Sequence, residues 1–277
     1  NATRSKGLLE KLADALDAPV VSMESPRGLN DPSIGDFVQQ VSNADLIVSL
    51  GKRFDFTTGF GKPPAMNENA QFIVVDAEEN ELERARRALG PRLIATHYAD
   101  PATMAELLAA TGKVGPRRTT WRADIASAIA ARLTEPSNNV RPMQPATLCA
   151  EIQKVINAAD DPILVVDGGE FGQWAQACLS APTRVINGPG GAIGGGLCYA
   201  FAAKIARPEA TVIALMGDGT AGFHFAEFET ASRYGTNFIA VIGNDAKWNA
   251  EYQIQLRDYG EQRLYGCELN PPRYDQA

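Results

Sequence analysis

The chain has 277 residues, of which 45% are hydrophobic and 21% charged, a balance typical of a globular protein of one or two domains. Its net charge of -7 at pH 7 argues against a nucleic-acid-binding surface, which needs a basic face. No apolar run is long enough to span a membrane, so we expect neither a nucleic acid nor a membrane as partner.

The four cysteines are widely spaced and form no CxxC pair, which is typical of reduced thiols in a cytosolic protein. No secretory signal is visible, so we expect a cytoplasmic location. With only two histidines, His97 and His224, a zinc site is not expected. We interpret His224, which lies between two phenylalanines, as a packed histidine.

Helical periodicities and short apolar runs alternate through the first part of the chain. The patterns predict helices over 7–16, 78–89 and 102–110, and strands over 19–23, 44–50, 72–76 and 93–98. Runs such as ADLIVSL and FIVVD lack polar alternation, which is typical of strands buried on both faces of a parallel sheet. We therefore predict a Rossmann-type, nucleotide-binding-like domain over residues 1–114.

The pattern breaks at GPRR, 115–118, and a helix is predicted over 121–133. The following segment, TEPSNNVRPMQP, is rich in Pro, Asn and Ser and is typical of a linker. We assign residues 115–145 to a linker with one helix.

The second domain is predicted over 146–277. Strands are expected over 163–167, 183–186, 211–216 and 238–242, and helices over 146–158, after GGEFGQW, after a glycine-rich loop, and over 226–234. An exposed helix and loop are expected after Asn249, and no closing strand and helix follow, so we expect this domain to be truncated at its C-terminus. The predicted fold class is α/β, with two Rossmann-like domains whose mainly parallel sheets are flanked by helices.

Two acidic turns follow two successive predicted strands of the second domain: Gly217-Asp218-Gly219-Thr220 and Asn244-Asp245. The first turn opens a helix, whose N-terminal N–H groups suit a phosphate, but an Asp there repels phosphate unless a divalent cation lies between them. Because neighbouring parallel strands end in one crevice, Asp218 and Asp245 can meet over one ion such as Mg²⁺. The alternative is two ordinary turns with no ligand.

The stretch resembles the diphosphate-binding motif of thiamine diphosphate enzymes, a GDG followed at a set distance by Asn-Asn or Asn-Asp. The 27 positions from Asp218 to Asp245 match the spacing in the acetolactate synthase-like branch. The resemblance covers the whole chain, with residues 1–112 similar to the central domain of these enzymes and residues from 146 onward similar to their diphosphate-binding domain.

The resemblance implies a ligand set for the cation and the diphosphate. Asp218 would be a side-chain ligand of Mg²⁺, Asp245 would replace the usual second Asn, and Lys247 would contribute its backbone carbonyl. Further contacts to the cofactor are implied for Gly217, Gly219, Thr220 and Asn244.

The glycine-rich loop at 188–197 resembles the segment that receives the aminopyrimidine ring of the cofactor. Gly191 would offer its carbonyl to the 4'-amino group, and Ile193 would be the bulky residue under the bent cofactor. The alternative is a glycine-rich turn that packs a helix on a sheet. Glu170 and Phe171, in DGGEF, lie where relatives contact the diphosphate.

In the first domain, the segments at 51–64 and 75–80 resemble places where some relatives hold FAD or the ADP part of coenzyme A. Arg53 and Asp76 are the natural contacts, a cation for phosphate and an acceptor for ribose hydroxyls. In other relatives this domain binds nothing.

The resemblance implies a thiamine diphosphate- and Mg²⁺-dependent lyase or ligase that acts on 2-keto acids by decarboxylation and carboligation, as acetolactate synthase does. A 2-hydroxyacyl-CoA lyase, an aldehyde lyase and a simple 2-keto acid decarboxylase stay open, as does a non-catalytic nucleotide-binding paralogue. In the family the activating Glu lies in an N-terminal pyrimidine domain, usually of the partner subunit, and this chain contains no such domain. We therefore expect a fragment, inactive alone, of a homodimeric or tetrameric enzyme.

Overall fold

The structure, a computed structural model, describes residues 7–112, 118–131, 142–187 and 191–276. It divides the chain into two compact units, Asn1–Arg132 and Leu133–Ala277. The helix predicted within the linker falls in the first of them, whereas most of the Pro-rich linker segment at 134–145 lies outside the described residues.

The first unit is built on a parallel sheet of three strands in the order β1-β2-β3, which are Leu46–Leu50, Gln71–Asp76 and Leu93–Tyr98. Its α-helices are α1 (Leu8–Leu16), α2 (Phe37–Val41), α3 (Glu79–Leu89), α4 (Pro101–Thr111) and α5 (Thr119–Ala130). Short 3-10 helices cover Gly28–Asn30, Pro32–Ile34, Phe56–Gly61 and Gly90–Arg92.

The core of the first unit lies between the central strand β2 and the helices. Phe72 and Val74 of β2 pack in one buried cluster with Leu82 of α3 and Ile125 of α5. The apolar run of β2 and the apolar face of α3 are therefore both buried in the core, as their sequence patterns predict.

The strand predicted at 19–23 is wrong, because the structure forms none there. Val21 and Met23 are instead partly buried against the core cluster of the unit. A β-branched run becomes a strand only if another strand pairs with it, and none of the strands in the described residues pairs with this run.

The second unit contains a four-stranded parallel sheet in the order β5-β4-β6-β7. The strands are β4 (Pro162–Val166), β5 (Thr183–Ile186), β6 (Thr211–Gly217) and β7 (Ile239–Gly243). The helices are α6 (Pro145–Ala158), α7 (Glu170–Cys178), α8 (Gly196–Ala206), α9 (Asp218–Ala221), α10 (Glu227–Arg233) and α11 (Asn249–Tyr259), followed by a 3-10 helix at Glu261–Arg263.

Both faces of this second sheet are covered. One face packs with α6 and α7, and the other with α8, so side chains of β4 and β6 are buried in two separate core clusters. The continuous apolar runs follow from this burial on both faces. Both units confirm the predicted α/β fold class, with parallel sheets flanked by helices.

The strand register places the ends of β4, β6 and β7 at one edge of the sheet. Val166 pairs with Leu215, and Gly217 pairs with Gly243. The turns that follow these three strands are therefore neighbours, as open parallel sheets require at their ligand-binding crevice.

None of the helices in the described residues is long and apolar enough to cross a lipid bilayer.

Candidate functional site

Asp218 is the most distinctive polar residue at this edge of the sheet. It starts α9 and is only 2% exposed, and its Oδ2 atom is buried without a hydrogen-bond partner. Burial raises the pKa of the carboxyl, the charge of Asp245 raises it further, and the N–H groups of Gly219 and Ala246 oppose both effects. A buried, unpartnered carboxylate oxygen with a second carboxylate close enough to raise its pKa fits a divalent cation.

The turn after β7 brings Asp245 to this position. Its Oδ1 accepts the N–H of Lys247 at 3.1 Å, and its Oδ2 accepts Nδ2 of Asn249 at 2.7 Å. Between them Ala246 has a φ of 57°, a left-handed conformation that non-glycine residues rarely adopt. The structure thus brings together the two acidic residues that the sequence predicted to meet.

Lys247 packs its ammonium group on an aromatic ring, and the proposed role of its backbone carbonyl stays a prediction. Its Nζ lies 4.1 Å from the centre of the Tyr252 ring, and its backbone forms an isolated antiparallel bridge with Glu268. Flanking residues make the hydrogen bonds of that bridge, from Trp248 N to Cys267 O and from Leu269 N to Ala246 O, so the Lys247 carbonyl takes no part in them.

Two acidic side chains alone do not complete a cation site. Within the parts of the chain that the structure describes, no group of three or more His, Cys, Asp or Glu side chains is placed to hold a metal ion. A hard cation between Asp218 and Asp245 would therefore take its remaining oxygens from backbone carbonyls, water or a ligand such as a diphosphate.

Glycines allow the surrounding turns to approach closely. A Cβ atom added to Gly168, whose φ is +92°, would lie 2.4 Å from Oγ1 of Thr220. One added to Gly219 would lie 2.6 Å from the Trp248 indole, and one added to Gly243 would lie 2.6 Å from the Phe171 ring. These contacts join the ends of β4, β6 and β7 in one cradle that side chains at the glycines would fill.

Asp167 is a site residue that the sequence analysis missed. It follows β4, has no exposed surface, and its Oδ2 accepts the N–H groups of Gly194 at 2.9 Å and Gly196 at 2.6 Å. Burial raises its pKa, against the effect of these donors and of the nearby His224. The available signal was an acidic residue at the end of the otherwise apolar run ILVVD.

His224 contacts the same glycine loop from the other side. Its Nδ1 lies 2.7 Å from the carbonyl oxygen of Gly194. Asp167 and His224 therefore both bind Gly194 in the loop that leads into α8. His224 is exposed in the structure, so the interpretation of it as a packed residue is wrong.

The predicted pyrimidine-binding residues lie at the start of this loop. Gly191 is exposed with a φ of 72°, and Ile193 is half-buried. Residues 188–190, which belong to the predicted segment, lie outside the described residues. The role of the loop stays a prediction.

The remaining predicted residues of the second unit have mixed surroundings. Glu170 is half-buried in the first turn of α7, and the adjacent Phe171 is 9% exposed within the core, its ring against Gly243. Asn244 is exposed and donates from Nδ2 to the carbonyl oxygen of Pro272 at 2.9 Å. Contacts of these residues with a cofactor stay predictions.

In the first unit, Arg53 follows β1, and Asp76 is the last residue of β2. Nε of Arg53 is 3.3 Å from a carboxylate oxygen of Glu81 on α3. Asp76 is buried, and its Oδ1 accepts the N–H of Glu78 at 3.0 Å, which orders the turn into α3. A nucleotide-type ligand at these residues stays a prediction.

Comparison with known proteins points to one family. Residues 167–277 match the thiamine pyrophosphate enzyme, C-terminal TPP binding domain. A probable acetolactate synthase of Mycobacterium bovis is 32% identical over 245 residues, covering 86% of this chain and 42% of that protein. A 2-hydroxyacyl-CoA lyase 2 of Xenopus laevis is 27% identical over 250 residues, covering 84% of this chain and 37% of that protein.

A similar fold occurs in a solved structure. The thiamine diphosphate-dependent 4-hydroxybenzoylformate decarboxylase of Rhodococcus jostii superposes with a TM-score of 0.73 at 22% identity, over 99% of this chain and 51% of that one. At that identity the likeness concerns the fold. The chain spans less than half the length of the two curated relatives above.

Proposed function

We propose that the second unit binds thiamine diphosphate, also called thiamine pyrophosphate, through Mg²⁺. The premise is that residues 167–277 match the C-terminal TPP binding domain of thiamine pyrophosphate enzymes. Asp218, Asp245 and the backbone carbonyl of Lys247 would hold the cation. The observation that carries the proposal is the buried, unpartnered Oδ2 of Asp218.

The turn after β6 is suited to the diphosphate. Gly217 has nothing within 4 Å of an added Cβ atom and so leaves room for close approach. Gly219 and Thr220 offer an N–H and a hydroxyl, and Asn244 follows the neighbouring strand β7. The indole of Trp248 packs against Gly219 on one side of this turn.

Three further contacts to the cofactor are part of the proposal. Gly191 would offer its carbonyl to the aminopyrimidine, Ile193 would lie under the bent cofactor, and Glu170 with Phe171 would lie near the diphosphate. Asp167 supports the same arrangement by holding the loop that contains Ile193 through Gly194 and Gly196.

The proposed reaction is the cleavage of a C–C bond next to the carbonyl of a 2-keto acid, followed by ligation, as in acetolactate synthase. Thiamine diphosphate, when bound, supplies the electron sink for such a bond cleavage. The 32% identical relative named for acetolactate synthase supports this class, and the acid that would activate the cofactor would come from a pyrimidine domain of a homodimer or tetramer.

A second candidate is a 2-hydroxyacyl-CoA lyase, since several relatives at 25–27% identity carry that name. An acyl-CoA substrate would give the first unit a role, with Arg53 and Asp76 near its ADP part, whereas FAD would be the alternative ligand there. The substrate assay described below distinguishes these two candidates from a simple decarboxylase, an aldehyde lyase and a non-catalytic paralogue.

Isothermal titration calorimetry of the 277-residue chain with thiamine diphosphate, in Mg²⁺ and in EDTA, tests the binding proposal. We expect binding that requires Mg²⁺ and that is lost in Asp218→Ala, because the cation loses a carboxylate ligand. The matched control is Asp124→Ala, an exposed aspartate of α5 in the other unit. Unchanged affinity in Asp218→Ala, or equal affinity in EDTA, would overturn the proposal.

The substrate class needs a separate assay. It uses the full-length gene product in a cytoplasmic extract of the organism that produces it. A panel of 2-keto acids and 2-hydroxyacyl-CoA thioesters, each supplied with thiamine diphosphate and Mg²⁺, distinguishes the two candidates. Turnover of 2-keto acids with a ligated product supports the first, and release of an aldehyde from the thioesters supports the second.

A further inference from the structure

We propose that Tyr274 is a positioning residue for the cation and diphosphate site, although it lies 56 positions beyond Asp218 in the chain. The inference rests on the proposed function. It concerns how this chain orients the turn after β6 rather than which residues touch the cofactor.

The phenol O–H of Tyr274 donates to the backbone carbonyl oxygen of Asp218 at 2.8 Å. The same carbonyl accepts the N–H of Gly222 at 3.2 Å, which closes the single turn of α9. Because a trans peptide is planar, its C=O and N–H point in opposite directions, so fixing the Asp218 carbonyl also fixes the direction of the Gly219 N–H. That N–H donates to the Asp218 carboxylate and lowers the pKa of the carboxyl.

The segment that carries Tyr274 also binds the turn after β7. We call residues 267–274 the anchoring segment. The N–H of Leu269 donates to the Ala246 carbonyl at 2.8 Å, and Nδ2 of Asn244 donates to the Pro272 carbonyl at 2.9 Å. The anchoring segment thus hydrogen-bonds to both acidic turns: to Asp218 in the turn after β6, and to the neighbours of Asp245 in the turn after β7.

The position of the Tyr274 ring is itself fixed by packing. The ring is half-buried and lies 5.6 Å, centre to centre, from that of Phe225, which follows the same turn. It packs against the core cluster on the α8 face of the sheet. The hydroxyl is therefore presented to Asp218 by a rigid support, which is what a positioning residue requires.

Tyr274→Phe removes the hydroxyl and keeps the ring, and Tyr265→Phe is the matched control, since Tyr265 is 88% exposed and its hydroxyl lies on the surface. Two measurements on the whole 277-residue chain are needed. Hydrogen exchange by mass spectrometry reports the order of the turn at 218–222, and calorimetry at saturating thiamine diphosphate reports the dissociation constant for Mg²⁺.

For Tyr274→Phe we expect faster exchange over residues 218–222 and a dissociation constant for Mg²⁺ raised about fivefold, equivalent to about 1 kcal/mol for one hydrogen bond. Tyr265→Phe should match the wild type in both measurements. Both are made well below the melting temperatures, so a general loss of stability would not reproduce the pattern.

Each other outcome overturns a specific statement. If Tyr274→Phe and Tyr265→Phe agree in exchange or in Mg²⁺ affinity, Tyr274 does not position the site. If the wild type itself shows no Mg²⁺-dependent binding of thiamine diphosphate, the proposed function fails, and the inference that rests on it fails for that separate reason.

Discussion

Gly168 and Thr220 are in direct contact across the ends of β4 and β6, and a Cβ atom at position 168 would lie 2.4 Å from the Thr220 hydroxyl. The backbone of Gly168 also has a φ of +92°, which L side chains rarely adopt. Two independent constraints therefore require glycine at the position where the β4 turn meets the proposed diphosphate turn.

We predict that Gly168→Ala destabilises the second unit by about 1–3 kcal/mol more than Gly235→Ala does, because it adds overpacking to backbone strain. Gly235 is the matched control, with a φ of +64° and nothing within 4 Å of an added Cβ atom. Urea unfolding followed by tryptophan fluorescence gives both free energies. Equal losses would show that the contact with Thr220 relaxes without cost.

The proposed role of Asp245 as a cation ligand can be tested with two substitutions, one that removes only its charge and one that also removes its oxygen. Asp245→Asn keeps an oxygen ligand and removes the like charge beside Asp218, so we expect Mg²⁺-dependent binding of thiamine diphosphate to persist. Asp245→Ala removes the ligand and should raise the dissociation constant for Mg²⁺ at least about tenfold, equivalent to about 1.4 kcal/mol. Calorimetric Mg²⁺ titrations that give the same value for both variants would contradict a ligand role for this residue.

Asp167 gives a prediction about pH. Burial raises the pKa of its carboxyl above the ordinary value of 3.8, so the folded chain holds this proton more tightly than the unfolded chain does. The contribution of Asp167 to stability is therefore greatest below that value and declines as pH rises through the folded pKa. Asp167→Asn does not titrate and keeps an acceptor for the N–H groups of Gly194 and Gly196.

We accordingly expect the difference in free energy of unfolding, wild type minus Asp167→Asn, to decrease as pH rises from about 4 to about 7. Urea titrations across this range measure it, and Asp124→Asn, at an exposed aspartate, is the control. A difference that stays constant or grows with pH would mean that the N–H donors and His224 outweigh burial in setting this pKa.

The strands and the two acidic turns could be predicted because their signals are local. The run ILVV, at 163–166, is apolar throughout because both faces of its sheet are covered, and turn residues follow directly after it. The run at 19–23, PVVSM, is also largely apolar but forms no strand, because strand formation depends on a pairing partner as well as on the run itself.

The contacts that support the candidate site could not be predicted in this way. The hydrogen bond from Tyr274 to Asp218 joins residues 56 positions apart, and those from Gly194 and Gly196 to Asp167 span 27 and 29 positions. Neither periodicity nor turn chemistry encodes such pairings, which arise only when the turns meet at one edge of the sheet. The resemblance implied residues that would contact a cofactor, and it did not indicate the residues that hydrogen-bond to them.

Ala246 offers a way to alter the site without changing a proposed side-chain ligand. Its left-handed backbone, with a φ of 57°, costs an L-residue about 1–2 kcal/mol relative to glycine. A protein engineer could relieve that cost with Ala246→Gly and let the turn fold with less dependence on its ligand. The same substitution would raise the conformational entropy of the unfolded chain, which opposes folding. The native alanine therefore combines a strained backbone in the folded state with a lower entropy cost of folding than glycine would have.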